Sequence, residues 1–488
     1  MLNLNISTAV PKKVTDRIIF TGKNFNITDG LFKKLINLKD VKSLKNLLNE
    51  KKNENFFCLN TFNSEHEKTI FVNFKENLST IELQQLGGQV ISKFKNNSDI
   101  NIFFNSEEQK YQHMFYNFFL GTTLKKYSFL KYKTSIPEKK KDNLKKLNLI
   151  VKNKSFFLSL KKKICSLASS VFFTRDLVSE PPNVLNPERF VREIKKLSSL
   201  GVKIVVYDLN KLKKLGMNAI IGVSQGSKSL PFFVTMEWKP KNSTNKKPLS
   251  FIGKGVCFDT GGISLKPAKF MEDMKYDMAG AGAVVGLMRS VALSKIKKYV
   301  VGAVALVENM PSGSAQRPGD IVKSYSGKTI EILNTDAEGR LILADAIHYV
   351  EKHYNPDLIV DLATLTGAMV VSLGNEYAGI FSNNDSLANK LIKSGEVEGE
   401  KLWKFPLHKN YDELMNSEIA DVQNINYSGG AGSITAAQFL QRFISKNTPW
   451  AHLDIAGMAW TKKDLDIIPK GATGFGVKLL TNFVENYN

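Results

Sequence analysis

The sequence predicts an α/β protein of two domains: a smaller N-terminal α/β domain and a larger C-terminal α/β domain with a mixed central sheet. Three observations support this. Short apolar runs of strand length recur along the chain, stretches of helical periodicity separate them, and a segment at 131–163 carrying twelve lysines against Glu138 and Asp142 interrupts the pattern. Strands that alternate with helices bury a sheet beneath helical layers. With 488 residues and 43% hydrophobic content the chain can fill two sizeable cores. The expected domains span residues 1–157, including the lysine-rich linker, and 165–488.

In the N-terminal domain, residues 35–48 read as a helix and the runs 69–74 and 100–104 as strands. Past the linker, 202–207, 249–252, 299–305 and 358–362 read as buried strands separated by helices. A glycine-rich continuation of the 249–252 strand carries Lys254 and Asp259. The small-residue run 279–286 reads as a helix suited to close packing, because Gly280, Gly282 and Gly286 do not fit the Gly-x-Gly-x-x-Gly spacing of a dinucleotide loop. The run 341–347 reads as a further helix. Ligands in such sheets sit at strand ends, so the ionisable residues of interest are expected on post-strand loops or helix starts.

The segment Asn334-Thr335-Asp336-Ala337-Glu338-Gly339-Arg340 sets two carboxylates and a guanidinium at alternate positions. As extended chain it would project Asp336, Glu338 and Arg340 to one side. Neighbouring acids repel unless cations fill the gap, and bound divalent ions are the usual solution. Lys254, Asp259 and Lys266 lie in the glycine-rich run 253–266, and Asp277 ends the segment Met271-Glu272-Asp273-Met274-Lys275-Tyr276-Asp277.

At these residues the chain resembles the leucyl aminopeptidase (cytosol aminopeptidase) family, metallopeptidase family M17. The likeness is near complete over 334–341 and extends from Arg175-Asp176-Leu177-Val178-Ser179-Glu180-Pro181 to Gly471-Ala472-Thr473-Gly474. It implies a metal-dependent aminopeptidase that removes N-terminal residues, leucine and similar apolar residues preferred, by attack of a metal-bridging hydroxide. It implies two divalent metal ions per subunit, zinc or manganese foremost and magnesium or cobalt as alternatives, held by Lys254, Asp259, Asp277, Asp336 and Glu338. Asp259 and Glu338 would bridge the ions, Lys254 and Asp277 would complete one site, and Asp336 would complete the other through its side chain and carbonyl oxygen. Lys266 and Arg340 would be the catalytic cations, with a bicarbonate at Arg340 as proton shuttle. Met274, Asp277, Thr364, Leu365, Gly367 and Ala456 would contact the peptide substrate, and the assembly implied is a homohexamer.

The residue types suit that chemistry. Peptide hydrolysis at neutral pH needs a nucleophilic water, and a metal lowers its pKa from about 15.7 to about 7. A lysine that ligates a metal must be neutral, and two adjacent dications would expel its proton. Lys254 fits that role, and Lys266 that of a charged donor to the oxyanion. Arg340 cannot act as a base, since guanidinium stays protonated. Asp259-Thr260-Gly261 also matches the aspartic-protease triplet, but that enzyme needs two such loops and the sequence holds no second one. A sugar-kinase-like phosphate loop would leave Asp336 and Glu338 unexplained. The six histidines form no His-Glu-x-x-His pair, and His348 and His353, five apart, do not share a helical face. Cys58, Cys165 and Cys257 are an odd, widely spaced set, which favours a reducing compartment over a disulfide framework.

Charge is uneven. Residues 1–170 carry 30 Lys+Arg and 14 Asp+Glu, a net +16 of the total +22. An excess of that size attracts polyanions, so the alternative reading is a nucleic-acid-binding protein with a basic N-terminal domain, as a second function or with a vestigial site. No aromatic-basic motif accompanies the charge, and abundant lysine, asparagine, isoleucine and phenylalanine throughout match an AT-rich coding bias. A vestigial site should have lost ligands, whereas all are present. The N-terminus lacks the charged-then-apolar pattern of a secretory signal, and no apolar run approaches the ~18 residues of a membrane span. A soluble, cytoplasmic protein is expected.

Overall fold

The computed structural model describes residues 4–9, 16–21, 41–60, 68–73, 75, 77–94, 99–104, 111–135, 146–151 and 154–487. The chain forms two compact units: Met1–Ser169 with Asp464–Pro469, and Ser170–Lys463 with Lys470–Asn488. The division falls inside the helix Lys154–Ser179. Of the lysine-rich segment, 136–145 and 152–153 lie outside the described residues.

The first unit holds a six-stranded sheet of β1 (Leu4–Ser7), β2 (Asp16–Thr21), β3 (Phe56–Asn60), β4 (Lys68–Asn73), β5 (Ile100–Phe104) and β6 (Leu147–Ile150). Its order is β1-β6-β5-β2-β4-β3, parallel except where the edge strand β3 runs against β4. Alternate residues serve opposite faces: Ile19, Phe71 and Phe103 join Leu48 in one cluster, while Phe20 and Phe104 stack with ring centroids 5.0 Å apart and meet Phe115. The helix Thr80–Ser92 starts at a capping box, Ser79 with Glu82. Of the helix expected at 35–48, Val41–Glu50 is helical and 35–40 lie outside the described residues.

The second unit is built on an eight-stranded mixed sheet. Its strands are β7 (Lys203–Tyr207), β8 (Phe232–Trp238), β9 (Leu249–Asp259), β10 (Val300–Asn309), β13 (Leu358–Ala363), β14 (Ala378–Ser382), β15 (Leu402–Lys404) and β17 (Trp450–Asp454), in the order β15-β14-β17-β13-β9-β10-β8-β7. Short strands β11 (Ile321–Lys323), β12 (Thr329–Glu331) and β16 (Val422–Gln423) form a separate sheet, and β18 (Trp460–Thr461) pairs with β19 (Gly471–Ala472). The expected strands at 202–207, 299–305 and 358–362 appear as β7, β10 and β13.

Each face of the large sheet carries its own core. Phe251 joins Val284, Leu362 and Leu453 on one face, and Ile252 joins Ala303, Leu341 and Ile359 on the other. The helix Ala279–Ser294 covers the first face and Glu338–Tyr354 the second. The expected close packing of the small-residue helix is present: a Cβ on Gly280 would lie 2.1 Å from the Leu362 carbonyl oxygen. One expectation needs correction. Strand β9 does not end before the glycines but runs through Lys254 to Asp259, because both its neighbours, β10 and β13, extend the ladder over Gly253 and β10 continues it to Asp259. Lys254 is therefore an in-strand residue and not a loop residue.

Candidate metal centre

The strands β17, β13, β9 and β10 are mutually parallel. Their C-terminal ends therefore deliver Asp454, Thr364, Asp259 and Asn309 to one edge of the sheet, where an open α/β sheet binds its ligands.

Asp259 leaves β9 into a turn in which Gly261 and Gly262 take φ of 87° and 67°, a region that side-chain-bearing residues avoid. The turn aims donors at the acid. The Gly261 N–H reaches Asp259 Oδ1 at 2.9 Å and Asn309 Nδ2 reaches the same oxygen at 2.8 Å, which leaves Oδ2 to Lys266 Nζ at 2.8 Å. Lys266 also pairs with Asp336 Oδ1. Lys254 is 3% exposed. Its ammonium meets Asp277 Oδ2 at 2.8 Å, Glu338 Oε1 at 2.9 Å and the Thr364 carbonyl at 2.9 Å. Asp277 follows the 3₁₀ turn Met271–Tyr276, and its Oδ1 accepts from Thr364 Oγ1 at 2.8 Å.

The extended reading of 334–340 is corrected. Asp336 lies in a turn, and Glu338 is the first residue of the helix Glu338–Tyr354. Two helical steps carry the chain from Glu338 to Arg340, roughly 200° of rotation, so Arg340 does not converge with the acids. Its Nη1 donates instead to the Asn424 carbonyl at 2.8 Å. Asp336 and Glu338 still meet: Asp259, Asp336 and Glu338 each offer an oxygen, all within 4.8 Å of one another.

The electrostatics are those of acids gathered out of water. Burial raises the Asp277 carboxyl, and Glu338 and Asp259 raise it further against the pull of Lys254. Asp336 is raised in the same way, by burial and then by Glu338 and Asp259. Burial alone would lower Lys254, yet Asp277, Glu338 and Asp259 lift it above its ordinary value. Beside these acids the ammonium form is favoured, and the neutral Lys254 inferred from sequence requires dications in its place. Burial lowers the Arg340 guanidinium, which Glu338 and Asp454 oppose.

These residues fit a divalent cation pair. Apart from the lysine ammoniums, Asp277 Oδ2, Asp336 Oδ1 and Glu338 Oε1 are buried oxygens without a hydrogen-bond donor among the described residues. Buried carboxylate oxygens short of donors are costly unless a cation serves them. An all-oxygen cluster with a lysine amine suits hard or borderline divalent ions.

Of the expected substrate contacts, Thr364 and Leu365 follow β13 and Ala456 follows β17. Met274 lies in the 3₁₀ turn, where its carbonyl accepts the Asp277 N–H at 3.3 Å, and exposed Gly367 opens the helix Gly367–Leu373. Four supporting residues escaped the sequence reading. Asn309 donates to Asp259, and Thr335 ties the two loops through the Gly261 carbonyl at 2.6 Å and the Ser264 N–H at 2.8 Å. Asp454 accepts the N–H groups of Leu365 and Ala456, each at 3.2 Å. Asn424 accepts from Arg340. Thr335 alone carried a signal, its place inside the acid-rich segment. The others come from distant parts of the chain.

Residues 172–481 match the profile of the cytosol aminopeptidase family, catalytic domain. The "Probable cytosol aminopeptidase" of Phytoplasma mali (strain AT) is 51% identical over 373 residues, 76% of this chain and 75% of that protein. The "Cytosol aminopeptidase" of Rickettsia prowazekii (strain Madrid E) is 50% identical over 370 residues, 75% of this chain and 74% of that protein. A solved structure of the bottromycin maturation enzyme BotP in complex with Mn superposes with a TM-score of 0.81 at 26% identity, covering 97% of this chain and 99% of that one.

Proposed function

The chain belongs to the cytosol aminopeptidase family and is a hydrolase of the aminopeptidase class, and from that premise we propose that it is a dinuclear metal-dependent enzyme that removes leucine and similar apolar residues from peptide N-termini. The observation that carries the metal dependence is the trio of Asp259, Asp336 and Glu338 oxygens within 4.8 Å, two of those side chains short of donors. The likeness to BotP, solved in complex with Mn, supports it.

In this reading Asp259 and Glu338 would be shared by the two ions, Lys254 and Asp277 would help hold one, and Asp336 would help hold the other by side chain and carbonyl oxygen. When bound, the ions would polarise the scissile carbonyl and lower the pKa of a water to about 7. Zinc and manganese are the first candidates, with magnesium and cobalt accepted by the same donors. The protein's own groups do the rest. Lys266, whose side chain is 22% exposed, turns from its acid partners to donate to the substrate oxygen as charge develops there. Arg340 stays cationic, and its buried Nε, without a partner among the described residues, would hold a small anion such as bicarbonate, which would supply a proton shuttle. Asp277 receives the free amine, which makes the activity an exopeptidase one. Thr364, Leu365, Ala456 and Met274 line the place of the first side chain, and the space beside Gly367 is open, with nothing within 4 Å of where a Cβ would stand. A homohexamer in the cytoplasm belongs to the same reading, and among the described residues no helix is long and apolar enough to cross a membrane.

The test is hydrolysis of leucine p-nitroanilide after chelation and after separate return of zinc, manganese, cobalt and magnesium. Activity should vanish on chelation and return with at least one ion. Full activity in the chelated protein would defeat the metal-dependent reading.

A further inference from the structure

Asn424 is fully buried and takes no part in the chemistry above. Its position comes from the small sheet. Strands β12 and β16 pair Glu331 with Gln423, and the ladder continues as the Asn424 N–H donates to the Glu331 carbonyl at 2.9 Å. That register sets Asn424 beside Leu333 and Asn334. Its Oδ1 accepts the N–H of Leu333 at 2.8 Å and that of Asn334 at 3.3 Å, and its Nδ2 donates to the Asn334 carbonyl at 2.6 Å. Its own carbonyl accepts Arg340 Nη1 at 2.8 Å. Asn334 passes the constraint on, since its Oδ1 accepts the Asp336 N–H at 2.8 Å.

We propose that Asn424 is a positioning residue that holds the Asp336 turn and the Arg340 guanidinium in register with one another; the inference rests on the dinuclear aminopeptidase reading. The physical ground is the fit between amide and backbone. A partly buried turn is held in one shape when its N–H and C=O groups are partnered within the protein. The segment presents two N–H groups and one C=O, and a primary amide offers one oxygen with two lone pairs and one N–H₂ donor to match them. A carboxylate at 424 keeps the acceptor but turns an oxygen toward the Asn334 carbonyl. A methyl leaves the Leu333 and Asn334 N–H groups without their acceptor and the Asn334 carbonyl with the Ala337 N–H alone, at 3.2 Å. Either change frees the turn that carries Asp336 and shifts the carbonyl that holds Arg340.

Wild type, Asn424→Asp and Asn424→Ala would first be compared by circular dichroism and thermal unfolding, so that a variant that fails to fold is set aside in favour of the other or of Asn424→Ser. Mn²⁺ is then titrated into the chelated proteins by calorimetry, and kcat and KM are measured on leucine p-nitroanilide. The expected result is a fall of about tenfold or more in Mn²⁺ affinity at one of two sites, and a similar fall in kcat at little-changed KM. The loss in kcat should shrink when Asn424→Asp is made in an Arg340→Ala background, because coupled residues are not additive. Unchanged Mn²⁺ affinity together with full additivity would overturn the proposal. Failure of the wild type itself to bind Mn²⁺ would overturn the dinuclear reading and this inference with it.

Discussion

Lys254 and Lys266 show how surroundings set the role of one residue type. Lys254 is walled in by the strands on either side of β9 and has three acceptors within 2.9 Å, so its amine has one place to be. Lys266 sits on the loop beyond the turn with its side chain 22% exposed, so it can exchange acid partners for substrate. Replacement of Lys266 by Ala should lower kcat by about a hundredfold or more, the usual cost of losing an oxyanion donor, with metal content intact. Asp259→Ala, which removes a shared acid, should lose bound metal together with activity. Elemental analysis and steady-state kinetics check both. Two metals per chain in Asp259→Ala, or near-normal turnover in Lys266→Ala, would count against the assigned roles. The ionisable members of this site were legible as residues because a carboxylate or lysine in an apolar neighbourhood stands out. Asn309, Asp454 and Asn424 were not, since a single Asn or Asp at a strand end looks like any turn residue.

At the scale of elements, the site depends on how closely the helix Ala279–Ser294 lies on β13. Asp277 lies two residues before that helix and Thr364 immediately follows that strand, so their 2.8 Å hydrogen bond measures the same spacing. Gly280 permits it, since a Cβ there would sit 2.1 Å from the Leu362 carbonyl oxygen. Gly280→Val should therefore destabilise by about 1–3 kcal/mol or more and weaken activity beyond the loss of folded protein, as Asp277 is pushed from Lys254. Gly313→Ala is the control, because a Cβ there would meet nothing within 4 Å. Equilibrium urea unfolding of the two variants checks this, and equal midpoints would refute the close-packing account. The small-residue pattern of this helix was legible; the end of β9 was not, since local glycines argue for a loop while two neighbouring strands hold the ladder together.

Over the whole second unit, the last helix, Val477–Asn486, is fastened to a segment far away in sequence. Glu400 accepts the N–H groups of Gly476 and Leu479 at 3.0 and 2.9 Å. Burial pushes its carboxyl up to about 7, against the pull of Lys478 and of the Leu479 and Gly476 N–H groups. A carboxyl raised on folding binds its proton more tightly in the native state. Its contribution is thus full below the ordinary carboxylate range and is lost as pH rises through about 7. Glu400→Gln keeps the acceptor oxygen and cannot ionise. The thermal midpoint of the wild type should fall more steeply than that of Glu400→Gln between about pH 5 and about pH 8, and parallel curves would refute the shift.

The sequence by itself determined the class of fold and the family likeness, and it singled out Lys254, Asp259, Lys266, Asp277, Asp336 and Glu338, which the fold gathers into one cluster, because strand and helix periodicity and a dense run of acids are local properties of the chain. It placed the strands β4, β5, β7, β10 and β13 where hydrophobic runs had to be buried. Tertiary structure decided the rest. Whether 334–340 ran extended or turned into a helix depended on the packing of Leu341 and Ile342 beneath the sheet, and that choice sent Glu338 to the acids and Arg340 to Asn424. Which backbone groups would be left needing partners depended on how β12 met β16, some ninety residues on. Contacts of that range have no trace in local pattern, since each partner is chosen by the register of a sheet that exists only once the chain has folded.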